Sequence, residues 1–119
     1  MSLKPESLLP PDVSAAMRND AVGKRLRLLR EAFGLKPSEM ADLLGIQRTY
    51  WSRFENGKQG LSDSVAALLV VRFGVTLDFL ILGRWDRLPI DVVEKIRAAA
   101  KKQGVEAFPG YGSPPGQPE

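Results

Sequence analysis

The stretch from residue 37 to residue 56 constrains the fold most, because it divides into two short amphipathic helices and a tight turn. Pro37 suits a first helical position, since its missing N–H would have no partner there. Three apolar residues then fall on one helical face: Met40, Ala41 and Leu44. Gly45 follows where a left-handed residue commonly ends a helix. We therefore predict helices over 37–44 and 48–56, and helices this short must pack against a third to be stable.

The second of these helices has two different faces. Trp51 and Phe54 are predicted to face inward. The outward face carries two arginines, two hydroxyls and an amide, with no acid before Glu55: Arg48, Thr49, Ser52, Arg53 and Asn56. Such a face suits a groove that is lined with hydrogen-bond acceptors and negative charge.

Apolar periodicity predicts four more helices around this pair. A helix over 20–33 would bury Val22, Leu26, Leu29 and Phe33, and leave Lys24, Arg25 and Arg27 outside. Ser62 predicts the start of a helix over 63–73, and Thr76 that of a short helix ending near Leu82. After Pro89 a helix to Gln103 would bury Ile90, Val93, Ile96 and Ala100. Before the domain, 11–17 could form one or two further turns.

Residues 23–83 resemble the phage lambda repressor/Cro-like helix-turn-helix regulators, also called the XRE family. The matching pieces are Gly23–Glu31, Gly34–Leu35, Met40–Ala41, Leu44–Ile46, Phe54–Lys58, Phe73–Val75 and Asp78–Gly83. The resemblance implies an all-α fold, a five-helix DNA-binding domain, here with an additional C-terminal helix. In this family the third helix enters the major groove of DNA.

Composition shifts predict four regions along the chain. Residues 1–18 are expected to be a flexible N-terminal arm that could contain a short helix, and 19–83 to be the helix-turn-helix domain. Residues 84–104 would form a linker and the extra helix, a candidate dimerisation element. Pro and Gly dominate 105–119, which predicts a disordered tail.

The amino-acid composition argues against an enzyme. The chain has no His and no Cys, so the usual zinc sites and the Ser-His and Cys-His nucleophile systems are excluded. No phosphate-cradling glycine loop occurs, and we expect no cofactor. No apolar run approaches membrane-spanning length and no secretory pattern opens the chain, which predicts a cytoplasmic protein without a membrane partner.

The positive charge is concentrated where a DNA contact is predicted. Residues 18–58 contain nine Lys or Arg against five Asp or Glu, whereas residues 59–119 balance at zero. A solvated basic surface would explain the charge alone. Together with the outward face of 48–56, it is the electrostatic footprint expected of a nucleic-acid binder.

The resemblance also implies which residues contact double-stranded DNA. The base-contacting positions correspond to Arg48, Thr49, Ser52 and Arg53. Phosphate contacts are expected from Lys36, Gln47, Tyr50, Asn56, Lys58 and Gln59. An arginine can bind guanine O6 and N7 together, so a half-site with a G·C pair is expected. One departure is Pro37, because the family usually has glutamine at the start of this helix.

The family pattern further implies an ion pair between Arg30 and Glu55. This pair would tie the DNA-reading helix to the first main helix of the domain. Removing one partner of a buried pair typically costs about 3–5 kcal/mol, because the other charge is stranded.

Two subunits on a near-palindromic operator are the expected assembly, since one module offers little interface. The candidate dimer interface comprises Phe79, Ile81, Leu82, Trp85, Val93 and Ile96. The same apolar region, 77–100, supports an alternative function. The chain would then be an antitoxin or a protein-interaction module that uses this region to bind a partner protein.

Overall fold

A computed structural model describes residues 4–104, and every regular element in that range is helical. After a 3₁₀ turn at Pro5–Leu8, the chain forms helices α1 (Pro11–Ala16), α2 (Asn19–Ala32), α3 (Pro37–Leu44), α4 (Arg48–Glu55) and α5 (Asp63–Phe73). A π-helical turn at Asp78–Leu82 and helix α6 (Ile90–Lys102) follow. The prediction of an all-α fold is confirmed. Residues 105–119, predicted to be disordered, lie outside the described residues.

The helices begin and end at residues with identifiable roles. Pro37 opens α3, and Gly45 ends it with φ of 67°. The Ser62 hydroxyl accepts the N–H of Val65 at 3.4 Å at the start of α5. The Thr76 hydroxyl accepts the N–H of Phe79 at 3.0 Å, which starts the π-helical turn. These side-chain acceptors satisfy N–H groups that the first turn of a helix leaves unpaired.

Helix α2 is the centre of the packing, because α1, α4, the π-helical turn and α6 all contact it. Leu26 and Leu29 of α2 are fully buried, as are Trp51 of α4 and Ile96 of α6. The Lys95 ammonium lies over the Phe33 ring at 4.6 Å from its centroid, which adds a cation–π contact between α6 and the end of α2. Helix α6 therefore belongs to the core of this domain.

The buried stripe of α6 differs from the prediction at its first residue. Ile90 is 78% exposed, whereas Val92 is buried. The buried residues of α6 are Val92, Val93, Ile96, Ala99 and Ala100. Ile90 lies about 120° around the helix from the centre of that stripe, at 100° per residue, so its side chain points away from α2.

The prediction that Arg25 lies outside is wrong. Its side chain is 1% exposed, between α1, α2 and the π-helical turn. The guanidinium donates to the carbonyl oxygen of Ala16 and to that of Leu80, the latter at 3.4 Å. Burial lowers the pKa of Arg25 to about 10, which leaves it cationic at neutral pH. Arg25 follows Val22 by three residues, so helical periodicity places it in the buried stripe despite its charge.

Most of the predicted dimer interface lies inside the chain. Phe79, Trp85, Val93 and Ile96 are each at most 5% exposed, and Ile81 and Leu82 are partly buried. The rings of Phe79 and Trp85 meet edge to face, with 5.3 Å between centroids. The four buried residues cannot meet a second subunit in this fold, because their surface already packs against other helices of the same chain.

Candidate nucleic-acid interface

Helix α4 has one face in the core and one face open to solvent. Trp51 is fully buried and Phe54 is 4% exposed, which anchors the inner face. The predicted base-contacting residues are all exposed on the other face: Arg48, Thr49, Ser52 and Arg53. The alternation follows from the helical period, since 51 and 54 share one side and 48, 49, 52 and 53 share the other.

The predicted phosphate-contacting residues surround this face. All of them are exposed: Lys36 before α3, Gln47 and Tyr50 at the start of α4, and Asn56, Lys58 and Gln59 after it. The Asn56 side-chain amide donates to the Ser52 hydroxyl at 3.2 Å. That bond links the last turn of α4 to the loop that follows it.

A partly buried ion pair holds the inner end of α4 against α2. The Arg30 guanidinium donates to the two carboxylate oxygens of Glu55 at 3.0 and 2.7 Å, and the side chains are 11% and 12% exposed. These hydrogen bonds raise the pKa of Arg30 above its ordinary value. Arg30 also donates to the carbonyl oxygen of Leu35 at 2.9 Å. One side chain thus connects α2, the loop before α3, and α4.

The Trp51 indole adds a bond that sequence reasoning missed. Its N–H donates to the Glu55 carboxylate, so that carboxylate accepts three hydrogen bonds from two residues. Trp51 and Glu55 are four residues apart on one helix, and that spacing was the available signal. The bond gives Trp51 a polar contact in addition to the packing of its buried ring.

Gly23 permits the close approach of α2 to α4. A Cβ atom at this position would lie 2.5 Å from the carbonyl oxygen of Glu55 and 2.8 Å from that of Phe54. Because both atoms belong to the backbone, neither can rotate away. A glycine inside a predicted helix often marks such a contact, which was the signal for this residue.

The loop after α4 rests on the start of α2. Gly57 has φ of 70°, and a Cβ atom there would lie 2.9 Å from the Cα atom of Asp20. Arg18 precedes α2, has a side chain that is 72% exposed, and pairs with Asp20 at 3.2 Å. It is a cation close to the predicted phosphate-contacting loop that sequence reasoning did not include.

Comparison with known proteins agrees with this geometry. A family model described as a helix-turn-helix domain matches residues 21–79. The SPbeta prophage-derived uncharacterized HTH-type transcriptional regulator YonR of Bacillus subtilis (strain 168) is 32% identical over 71 residues. The chain belongs to the helix-turn-helix family. The match covers 60% of this helix-turn-helix protein and 66% of the length of its relative.

Solved structures of other regulators are similar to this helix-turn-helix protein. The clp gene regulator ClgR of Corynebacterium glutamicum has a TM-score of 0.50 at 19% identity, covering 76% of this chain and 88% of that one. At that identity the likeness concerns the fold alone. The restriction-modification controller protein C.AhdI of Aeromonas hydrophila is 31% identical, with a TM-score of 0.46, covering 49% of this chain and 88% of that one. The family model and the Bacillus relative confirm the predicted helix-turn-helix family.

Within residues 4–104 no helix has the length and apolar character that crossing a bilayer requires. The same residues contain no cluster of acidic side chains that could hold a metal ion.

Proposed function

We propose that this protein is a sequence-specific DNA-binding transcriptional regulator that reads the major groove with α4. One observation carries the proposal. Arg48, Thr49, Ser52 and Arg53 stand exposed on a face without an acid, while Trp51, Phe54 and the Arg30–Glu55 pair hold the opposite face in the core. A rigid helix with a bare cationic face can enter the major groove without first rearranging.

Each group on this face has a specific part in the proposed contact. An arginine at 48 or 53 would donate two hydrogen bonds to guanine, and Thr49 would offer its methyl to thymine or its hydroxyl to a base edge. The exposed polar groups around the face would bind phosphates and set the position of α4 in the groove. Arg18 joins that phosphate-binding set, since it pairs with Asp20, whose backbone lies against Gly57 in the loop after α4.

We further propose that two copies bind a near-palindromic operator and repress transcription. Two-fold symmetry would place the two α4 helices about 34 Å apart, one turn of DNA. The protein would need no cofactor and would perform no reaction. A cytoplasmic location, where the DNA is, belongs to the same proposal.

Selection of bound sequences from random DNA tests this function. We expect a two-fold symmetric sequence with at least one G·C pair in each half. On that sequence Arg48→Ala and Arg53→Ala should each weaken binding by about 1–3 kcal/mol and relax preference at one base pair. Arg87→Ala, which removes an exposed charge distant in sequence from α4, is the control. Unchanged base preference in both α4 variants would refute the assignment.

Salt dependence separates the phosphate contacts from the base contacts. Lys58→Ala should weaken binding to all sequences alike and reduce the slope of log affinity against log salt by about one. A change in base preference without a change in slope would place Lys58 at a base edge instead.

The alternative of a partner-binding region at 77–100 loses its main support in the structure. Most of its large apolar residues are buried in this chain, among them Phe79, Leu80, Trp85 and Leu88. Only Leu77, at 54%, and Ile90, at 78%, are strongly exposed there. We therefore do not propose an antitoxin function for that region.

A further inference from the structure

Helix α5 is apolar nearly all the way around, yet one side of it is open to solvent. Its sequence has no charged residue between Asp63 and Arg72. Val65, Ala66, Leu69 and Phe73 are buried, whereas Ala67 is exposed and Val71 is 81% exposed. A helix that is apolar on all sides is normally covered on all sides.

The open side of α5 continues onto α3. Leu43 of α3 is 41% exposed and lines two adjoining open cavities of about 490 and 370 Å³. The larger is completed by Leu68, Val71, Arg72 and Phe73, and the smaller by Leu35, Glu39 and Asp42. We call the surface formed by Glu39, Asp42, Leu43, Leu68, Val71 and Arg72 the α3–α5 face.

Charge is arranged across this face in a self-complementary way. The acids Glu39 and Asp42 lie with the smaller cavity, Arg72 lies with the larger, and Leu43 is shared between them. Within residues 4–104, neither Asp42 nor Arg72 forms an ion pair. A face with an apolar centre and opposite charges at its two ends can meet an identical face across a two-fold axis, because each end then meets its opposite.

We propose that the α3–α5 face binds the α3–α5 face of a second copy of this chain. Val71 and Leu43 form the centre of the contact, and Arg72 of each copy pairs with Asp42 of the other. The inference rests on the proposed two-subunit reading of DNA and names the surface through which the subunits meet. None of the four proposed base-contacting residues belongs to the α3–α5 face.

The mass of the full chain in solution tests the apolar centre. Sedimentation equilibrium over a concentration series should show a monomer–dimer equilibrium. Val71→Glu should raise the dimer dissociation constant by tenfold or more, because it would bury an unpaired carboxylate at the centre of the contact. Ile90→Glu is the matched control, since Ile90 is 78% exposed on a helix and lines neither cavity. Circular dichroism of both variants checks the fold.

Charge reversal tests the pairing itself. Asp42→Arg and Arg72→Asp should each weaken the dimer on the order of tenfold, and the double variant should restore it, because the pairs are then re-formed in the opposite sense. A wild-type chain that stays monomeric throughout the series would overturn the proposal, as would a dimer insensitive to Val71→Glu. Failure of the double variant to restore the dimer would overturn the assigned pairing.

The outcome is distinguishable from that of the proposed function. A dimer that Val71→Glu dissociates, in a chain that selects no DNA sequence, would uphold the interface and refute the DNA-binding function. A chain that selects a sequence but is monomeric at every concentration would uphold DNA binding and refute the interface.

Discussion

Helix α2 has two regions that each enclose an arginine, its last turn at Arg30 and its middle at Arg25, and their electrostatic settings are opposite. Arg30 pairs with the carboxylate of Glu55, and that contact raises its pKa. Arg25 donates to the carbonyl oxygens of Ala16 and Leu80, and burial lowers its pKa to about 10. In the first region the pair is lost if either partner is removed. In the second region the charge itself opposes folding, and carbonyl hydrogen bonds offset part of that penalty.

The two regions also differ in what they hold in place. The Arg30 region fixes α4, which carries the proposed base contacts. The Arg25 region fixes α1 and the π-helical turn, neither of which carries a predicted DNA contact. Changes in the Arg30 region should therefore lower both stability and DNA affinity, and changes at Arg25 should alter stability alone.

The largest effect is expected from Glu55→Ala. It leaves Arg30 with only the Glu31 carboxylate, at 3.8 Å, and leaves the Trp51 indole without an acceptor. The free energy of unfolding in urea should fall by about 3 kcal/mol, the lower end of the range for a broken buried pair, since both side chains keep some exposure. Arg27→Ala is the control, because the Arg27 side chain is 61% exposed and its ion pair with Glu31 does not involve Arg30; it should change stability by less than about 1 kcal/mol. Equal losses in the two variants would contradict the comparison.

Gly23→Ala tests the contact between α2 and α4 without changing charge. The added methyl would meet two backbone carbonyl oxygens of α4, so the helices must separate, at about 1–3 kcal/mol. DNA affinity should fall as well, because α4 moves relative to the domain. Gly60→Ala is the control, since its Cβ atom would meet only the Asn19 side chain at 3.4 Å. A Gly23→Ala variant with wild-type stability and affinity would show that α4 is not held tightly.

Trp51→Phe removes the indole N–H and keeps most of the buried ring. Hydrogen bonds to charged groups contribute about 1.5–3 kcal/mol, and we expect a loss near 1.5 kcal/mol because Arg30 still satisfies Glu55. Combining Trp51→Phe with Glu55→Gln in a double-mutant cycle measures the coupling directly. Additive losses would mean that the indole acts through its size alone.

The smallest effect is expected from Arg25→Met. The folded pKa of Arg25 lies below its unfolded value, so its charge opposes folding at every pH below about 10, and this penalty falls as pH rises above that value. A methionine of similar shape removes the charge and two hydrogen bonds together, and unfolding free energy at neutral pH should stay within about 1 kcal/mol of wild type. A loss above about 3 kcal/mol would make Arg25 as essential as Glu55. DNA affinity should be unchanged.

Local sequence patterns predicted most helices of the described region, because their start and stop residues act within one or two turns. Helices α3 and α5 match their predicted bounds, whereas both ends of α2 and the end of α4 differ by one residue. The solvent-exposed face of α4 was predictable because the period of α4 alone separates the buried Trp51 and Phe54 from the exposed Arg48 and Arg53.

The misses share a different origin, since they depend on contacts between elements distant in sequence. Arg25 is buried because α1 and the π-helical turn cover it. Phe79 and Trp85 are buried because that turn packs into the core instead of presenting an outer surface. Apolar periodicity shows that a face must be covered, but it does not say whether the cover comes from the same chain or from another.

The place of α6 against α2 has a consequence for how the protein is made. The ribosome synthesises Ile90–Lys102 some sixty residues after α2. The side of α2 that α6 covers therefore stays exposed to solvent while the intervening helices are made. A messenger RNA truncated after the Gly83 codon would encode α1 to α5 and the π-helical turn, but it would leave the apolar side of α2 exposed to solvent. Such a fragment should aggregate or be degraded. The shortest viable form of this regulator therefore extends beyond its DNA-binding motif.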